Sequence, residues 1–167
     1  YIPRARFFGL KDLTLDNMDN DLSMMHERLA YRVARLAGVP ASRCNHALVS
    51  INGTFYGLYA NVETVKRKMI ARWFPQSEGA LFEGTDDDFT ASFLSHFELE
   101  SGPADRSQLA GTISALALTS PDAAVAAADG YLDMAEFRRY WALASVIGQF
   151  DALPYSGELV HVLNGES

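Results

Sequence analysis

Asn52 and Gly53 separate two runs of strand-forming residues, and this dipeptide constrains the fold more than any other part of the sequence. A two-residue hairpin loop needs positive φ at both of its positions, which Asn and Gly accept at low cost. Residues 43–51 alternate in polarity, and residues 54–62 are rich in Phe, Tyr and Leu. The sequence therefore predicts an antiparallel hairpin whose first strand carries on one face Ala47, Val49 and Ile51.

A helical pattern precedes the hairpin and ends before Gly38. Its apolar side chains recur at helical spacing and predict a buried stripe made of Met25, Leu29, Val33 and Leu36. Either Asp21 or Ser23 can cap this helix, and neither choice places Glu or Gln three residues further on, so no capping box is predicted. Residues 10–15 alternate weakly and are read as a short strand that precedes the helix.

The rest of the sequence is mostly helical by the same criteria. Helix signals cover residues 64–74, 103–118, 122–128 and 133–150, and short strands are indicated at residues 80–83 and 159–163. Asp133 and Glu136 form a D-x-x-E pattern that opens the last helix. The predicted fold class is α+β, with a small antiparallel sheet and a helix followed by a mostly helical portion. We expect one domain over residues 1–167, with a sheet-and-helix part over 1–63 and a mostly helical part over 64–167.

Composition excludes several classes of protein. The 167 residues are 49% hydrophobic and 21% charged, which predicts a packed core. A net charge of −7 without a dense basic block outside Lys66-Arg67-Lys68 argues against nucleic-acid binding, and no apolar run approaches the ~20 residues that span a bilayer. The single Cys44 excludes an internal disulfide framework. Because the sequence opens on Tyr1 rather than Met, we expect a processed or excised chain whose targeting signal lies outside it.

Metal-binding patterns are weak. The four histidines are scattered and lack a second cysteine, which argues against zinc. Residues 129–137 resemble the second half of a calcium-binding EF-hand loop, but Val125 and Ala127 then occupy positions where calcium needs oxygen ligands. We interpret that segment as a turn and helix cap. The acidic run at residues 86–88 is typical of a solvated loop, although it offers oxygens to a divalent ion.

Three acidic residues have both a structural and a functional interpretation. Asp151 follows an apolar helix, a place from which a carboxylate can accept a proton from a substrate hydroxyl, although the residues alone favour a simple turn role. Glu27 is either a solvated helix charge or one half of a Lys–Glu pair that positions phosphates. Glu63 is either a favourable charge at a helix N-terminus or a polar group at a nucleotide pocket.

A family resemblance emerges from spaced motifs that cover nearly the whole sequence. In chain order, the matching segments are FFGLKDLTLDN, DLSMMHERLAY, GVPASR, INGTFYGLY followed by Glu63, GALFEG, and the helix from Asp133 to Asp151. Together they resemble the spore coat protein H (CotH) family of atypical protein kinases. Several independent motifs in the right order make this resemblance specific.

The resemblance implies a secreted or surface-associated protein with an atypical protein-kinase-like fold. Such a protein transfers phosphate from ATP to Ser or Thr of a protein substrate with Mg²⁺ as cofactor, and is located outside the cell or on the cell or spore surface. By resemblance, Asp151 is the catalytic-loop aspartate, Glu27 pairs with the nucleotide-binding lysine, and Glu63 lies at a hinge-like edge near the nucleotide. Partners are then a protein substrate or a coat or surface protein.

The sequence also departs from the family pattern. The loop after Asp151 lacks the Asn that serves as a metal ligand in the family, and Glu158 is a weak substitute for it. We expect the strands that carry the pairing lysine before Tyr1, and the second metal-binding aspartate after Ser167. These departures support an alternative function, that of a catalytically inactive surface or coat protein, a pseudokinase that uses the same fold for interaction.

Overall fold

The computed structural model describes residues 6–75, 78–84 and 89–148, and the backbone of residues 159–162. The chain forms two compact units, Tyr1–Val65 and Lys66–Ser167. The predicted division after Glu63 falls within the same connection. With helices and small antiparallel sheets in its described parts, the structure has the predicted α+β class.

From residue 6 onward, the first unit shows one helix and a three-stranded antiparallel sheet. Its elements are β1 (Thr14–Asp16), α1 (His26–Leu36), β2 (Cys44–Ile51) and β3 (Thr54–Val62). The strand order is β1-β3-β2. The predicted hairpin is confirmed, because Asn52 and Gly53 join β2 to β3 with φ angles of 51° and 81°. A register shift between Val49 and Ser50 adds a bulge to β2.

Helix α1 packs on the sheet with a different face from the one predicted. Ala34 is buried, whereas Leu29, Val33 and Leu36 are 47%, 40% and 76% exposed. Tyr31 packs on the core of the unit, which is formed by Met18, Ala60 and Val62 with Met24, Cys44 and Leu58 around them. The predicted buried stripe is therefore wrong. A small side chain at position 34 lets the helix approach the sheet closely, and the larger aliphatic residues are left on the outer face.

The N-terminus of α1 is held by the carboxylate of Asp21. This residue is only 9% exposed. Its Oδ2 accepts hydrogen bonds from the backbone N–H groups of Met25 and His26, both at 2.7 Å. Its Oδ1 accepts from the backbone N–H and the hydroxyl of Ser23, at 2.9 and 2.6 Å. The first helical residue is His26, so Asp21 caps the helix from five residues away and supplies a charge where the helix dipole favours one.

Folding of the first unit should depend on pH through Asp21. The pKa of this carboxyl lies far below its usual range because of the Ser23 hydroxyl and the N–H groups of His26, Ser23 and Met25, which outweigh its burial. Because the pKa is lower in the folded state, the ionised carboxylate stabilises the protein at pH values above its ordinary pKa of 3.8. This contribution to stability is lost progressively as the pH falls below that value. Asp21→Asn should lower the melting temperature at pH 7 by roughly 5–10 °C, and should flatten the loss of stability on acidification.

Thermal unfolding followed by circular dichroism between pH 2 and pH 7 measures both effects. Asp19→Asn is the matched control, because Asp19 is an exposed carboxylate in the same turn. Equal melting temperatures for Asp21→Asn and Asp19→Asn at neutral pH would contradict the proposed cap.

In its described residues, the second unit combines four helices with a three-stranded sheet. Its helices are α2 (Arg67–Trp73), α3 (Ser107–Leu116), α4 (Pro121–Ala128) and α5 (Met134–Ile147). Its strands are β4 (Leu81–Gly84), β5 (Glu98–Ser101) and β6 (Leu159–Val162), in the antiparallel order β5-β4-β6. The predicted strands at 80–83 and 159–163 are confirmed by β4 and β6. Strand β5 was not predicted, because the charged pattern Glu-Leu-Glu is typical of a loop as well as of an exposed edge strand.

The core of the second unit lies between β4 and α3. It contains the buried residues Ala80, Phe82, Phe97, Leu109 and Ile113. Arg106, just before α3, places its guanidinium 4.8 Å from the ring centroid of Phe82, a cation–π contact that covers the edge of this core. The sheet thus contributes the aromatic ring of Phe82 to this core, and the helix contributes the aliphatic side chains of Leu109 and Ile113.

Helix α5 begins where the sequence predicts and ends earlier. The carboxylate of Asp133 accepts a hydrogen bond from the backbone N–H of Glu136 at 2.8 Å, so the predicted cap is confirmed. The helix ends at Ile147 rather than at Phe150, because Gly148 adopts a left-handed conformation with φ of 67°. Left-handed glycine after the last helical residue is a common helix stop.

Candidate functional site

Glu27 lies in the first turn of α1, on the side of the helix that faces the sheet. Its carboxylate interacts electrostatically with Asp16 of β1 and with Cys44 of β2. Its side chain is partly buried, and burial together with the negative charge of Asp16 raises its pKa. Among the residues that the structure describes, no hydrogen bond or ion pair satisfies this carboxylate. The half-buried negative charge therefore lacks a cationic partner within the described parts of the chain.

The surroundings of Glu27 favour neutral or positive groups. Burial and the nearby Glu27 raise the pKa of Tyr31 to about 12, and the same two causes raise the pKa of the Cys44 thiol. Both side chains are thus neutral at physiological pH. The partly buried carboxylate of Glu27 then remains beside the exposed carboxylate of Asp16, and a cation such as a lysine ammonium is the group that would complement them.

Glu63 lies directly after β3 and closes the base of the hairpin. Its carboxylate accepts hydrogen bonds from the backbone N–H of Arg43 at 3.0 Å and from the Arg43 guanidinium at 2.9 Å. The Glu63 backbone N–H also donates to the Arg43 carbonyl at 2.8 Å. The Glu63 side chain is 16% exposed. This geometry gives Glu63 a structural role as a clamp between β2 and β3, and its predicted role near a nucleotide stays a prediction.

The two glutamates lie at the same end of the first sheet. The charge of Glu27 contributes to the raised pKa of Cys44, so the two residues are close. Cys44 pairs across the sheet with Val62, which directly precedes Glu63. Asp151 and Glu158, the predicted catalytic and metal-binding residues, lie outside the described residues, as does the acidic run at 86–88. The structure thus gives positions for Glu27 and Glu63 but not for Asp151 and Glu158. The functional roles of all four residues stay predictions.

Asp16 and Arg43 contribute to this region, although the sequence did not single them out. Asp16 accepts a hydrogen bond from the Met18 backbone N–H at 2.6 Å, and its charge acts on Glu27. The two-residue period of β1 places Thr14 and Asp16 on one face, a signal that could have linked Asp16 to the helix. Arg43 ends the GVPASR motif, but its pairing with Glu63 depends on the register of the hairpin.

Neither a metal cluster nor a membrane span is found in the described parts of the chain. Within residues 6–75, 78–84 and 89–148, no group of three His, Cys, Asp or Glu side chains is arranged to hold a metal ion. In the same parts, no helix is both long and apolar enough to cross a bilayer.

Comparison with known proteins identifies the class to which this chain belongs. The family model described as CotH kinase protein matches residues 1–164, so the chain belongs to this family and the predicted resemblance is confirmed. Among curated proteins, the chain is similar to the inner spore coat protein H of Bacillus subtilis (strain 168), with 29% identity over 100 residues. That match covers 60% of this chain and 27% of the relative's own length.

Proposed function

We propose that this chain is part of a CotH-type protein kinase that transfers phosphate from ATP to Ser or Thr of a protein substrate. The observation that carries the proposal is the carboxylate of Glu27 on α1, which is half-buried beside the sheet and has no cationic partner in the described residues. A helix glutamate that pairs with a phosphate-binding lysine is the arrangement that phosphoryl transfer requires in protein kinases. Membership of the CotH kinase protein family supports this assignment.

The electrostatics of Glu27 explain why a pairing role is favoured over a solvated one. A carboxylate that only kept the helix soluble would be most stable on the outer face, where Arg28 and Arg32 lie exposed. Glu27 instead stays on the sheet side of α1, where burial and the charge of Asp16 raise its pKa. Such a position destabilises the ionised form until a cation arrives, and a lysine next to the phosphates of ATP provides that cation.

The remaining parts of the proposed site follow from the family resemblance. Asp151 accepts the proton of the substrate hydroxyl, and Mg²⁺, when bound, neutralises the charge of the phosphates. Carboxylate oxygens are among the ligands that Mg²⁺ prefers, so Glu158 would help to hold it. Because the relative is an inner spore coat protein, we propose a location at the cell or spore surface and a coat or surface protein as substrate.

A second candidate function is that of an inactive coat or surface protein. The segment from Asp151 to Glu158 contains no Asn, the residue that the family pattern places there as a metal ligand. Glu63 is bonded to Arg43, which supports a structural rather than a nucleotide-binding role. Binding of ATP by the protein in its natural length distinguishes the two functions. A kinase should bind ATP in a way that depends on Glu27, and an inactive coat protein should not.

Substitution of Glu27 should separate its functional role from its structural one. In the protein of natural length, Glu27→Gln should lower phosphotransfer to a Ser-rich substrate by roughly 10–100-fold, because the lysine loses its partner. The same change should leave the free energy of unfolding at pH 7 equal or higher. The raised pKa of Glu27 shows that its ionised form is unfavourable in the folded state, and glutamine removes that charge.

Activity is measured by transfer of labelled γ-phosphate, and stability by thermal unfolding of the same samples. Glu98→Gln is the matched control, since Glu98 is an exposed glutamate on β5. Wild-type activity in Glu27→Gln would remove Glu27 from the proposed site. A loss of both activity and stability would instead indicate a structural role.

A further inference from the structure

The outer face of α1 is a basic and apolar surface. Leu29, Val33 and Leu36 recur at the spacing of one helix face and are 47%, 40% and 76% exposed. Arg28 and Arg32, both exposed, run along one side of these residues at a spacing of four. Large aliphatic side chains in a row on an exposed helix face mark an interaction surface when they are flanked by charge. We refer to these five residues as the α1 face.

Charge is distributed unequally between the two units. Residues 1–65 contain seven Lys and Arg against six Asp and Glu, whereas residues 66–167 contain seven against fifteen. The first unit thus has a net charge of +1 and the second a net charge of −8. Because opposite charges steer association and favour one pair of surfaces over others, the second unit of another copy is an attractive partner for the α1 face.

Helix α4 in the second unit presents the complementary pattern. Asp122, Val125 and Asp129 fall at positions i, i+3 and i+7, so they share the outer face of this helix. Both aspartates are exposed and Val125 is 50% exposed. Leu118, just before the helix, is 46% exposed and extends the apolar part. These four residues form the α4 face, in which two carboxylates lie on either side of an apolar centre.

We propose that the α1 face of one copy binds the α4 face of a second copy. In this arrangement the aliphatic side chains of both helices lose contact with water, and Arg28 and Arg32 pair with Asp122 and Asp129 at the rim. The alternative pairing of two α1 faces is disfavoured, because it would place the arginines of one copy against those of the other. Anionic membranes and nucleic acids are disfavoured by the net charge of −7. The contact joins two different surfaces, so it builds a closed ring or an open chain according to the rotation between successive copies.

Charge reversal tests this pairing. Sedimentation equilibrium over a concentration series should show self-association of the wild-type protein that weakens at high salt, because the rim is ionic. Two double variants, Arg28→Glu with Arg32→Glu and Asp122→Lys with Asp129→Lys, should each weaken association by at least ~10-fold. An equimolar mixture of the two variants should recover association, because each contact then joins opposite charges again.

The control is Lys68→Glu with Arg138→Glu, which makes the same change in net charge as the double arginine variant, at exposed positions outside both faces. Its association should equal that of the wild type, and thermal unfolding should confirm that all variants are folded. Wild-type association in the α4 variant would overturn the proposal, because the occupant of the α1 face would then be another surface. A wild-type protein that stays monomeric at all concentrations, or a mixture that does not recover association, would overturn it as well.

Discussion

Gly102→Ala should destabilise the second unit by about 3 kcal/mol or more in the free energy of unfolding. Gly102 follows β5 and has a φ of +93°, a conformation that side chains rarely adopt. A Cβ at this position would lie 2.4 Å from the carbonyl oxygen of Gly79 and 2.8 Å from the Cα of Ala80. Both contacts are with backbone, so no side-chain rotation can relieve them. Ala80 belongs to the core around Phe82, and the clash is therefore transmitted to the most buried part of the unit.

Tryptophan fluorescence during chemical denaturation measures this effect selectively. The chain contains two tryptophans, Trp73 and Trp141, and both lie in the second unit. Gly130→Ala is the matched control, because its Cβ would meet only the Ala127 carbonyl oxygen at the ordinary distance of 3.5 Å. That control should change the free energy of unfolding by less than about 1 kcal/mol. A Gly102→Ala variant as stable as this control would show that the close approach of Gly102 to Gly79 is relaxed in solution.

Asp151→Ala should reduce phosphotransfer by the protein of natural length by roughly 10²–10⁴-fold. The proposed role of Asp151 is to accept the proton of the substrate hydroxyl, a role that an alanine side chain cannot perform. Binding of ATP should change much less, because positioning of the phosphates is assigned to the lysine that pairs with Glu27. The expected pattern is therefore a large fall in kcat with a small change in the Kd for ATP.

The measurement combines transfer of labelled phosphate with equilibrium binding of ATP to the same protein. Asp19→Ala, an exposed aspartate outside the proposed site, is the control and should retain full activity. Retained activity in Asp151→Ala would exclude the residue as the general base. If the wild-type protein neither binds ATP nor transfers phosphate, the proposed kinase function fails and the inactive coat protein becomes the better interpretation.

Local patterns predicted the local structure well. The Asn52-Gly53 turn, the cap by Asp133 and the strand at β4 depend on neighbouring residues alone, and all three are present in the structure. The family assignment was also predictable from the spaced motifs, because motifs are recognised in the sequence itself and do not depend on the three-dimensional structure.

Features that depend on distant contacts were less predictable. The α1 stripe is apolar, but which face of the helix is buried depends on how closely Ala34 and Tyr31 fit the sheet. Asp21 can cap the helix only because the backbone between Asp21 and His26 folds back toward the first turn. The spacing of the residues in the sequence does not specify that conformation. The mutual effect of Asp16 and Glu27 likewise exists only once β1 has paired with β3 and α1 has packed on the sheet.

The connectivity of the first sheet has a consequence for the order of folding. Strands β2 and β3 are joined by only two residues, so their pairing costs little loop entropy and can form within microseconds. Strand β1 is three residues long and pairs with the last residues of β3, more than 40 positions away along the chain. We therefore expect the hairpin to form first and to act as the template on which β1 and α1 assemble. Since every strand pairing of this sheet lies within residues 14–62, we expect the sheet to assemble on the ribosome while the second unit is still being synthesised.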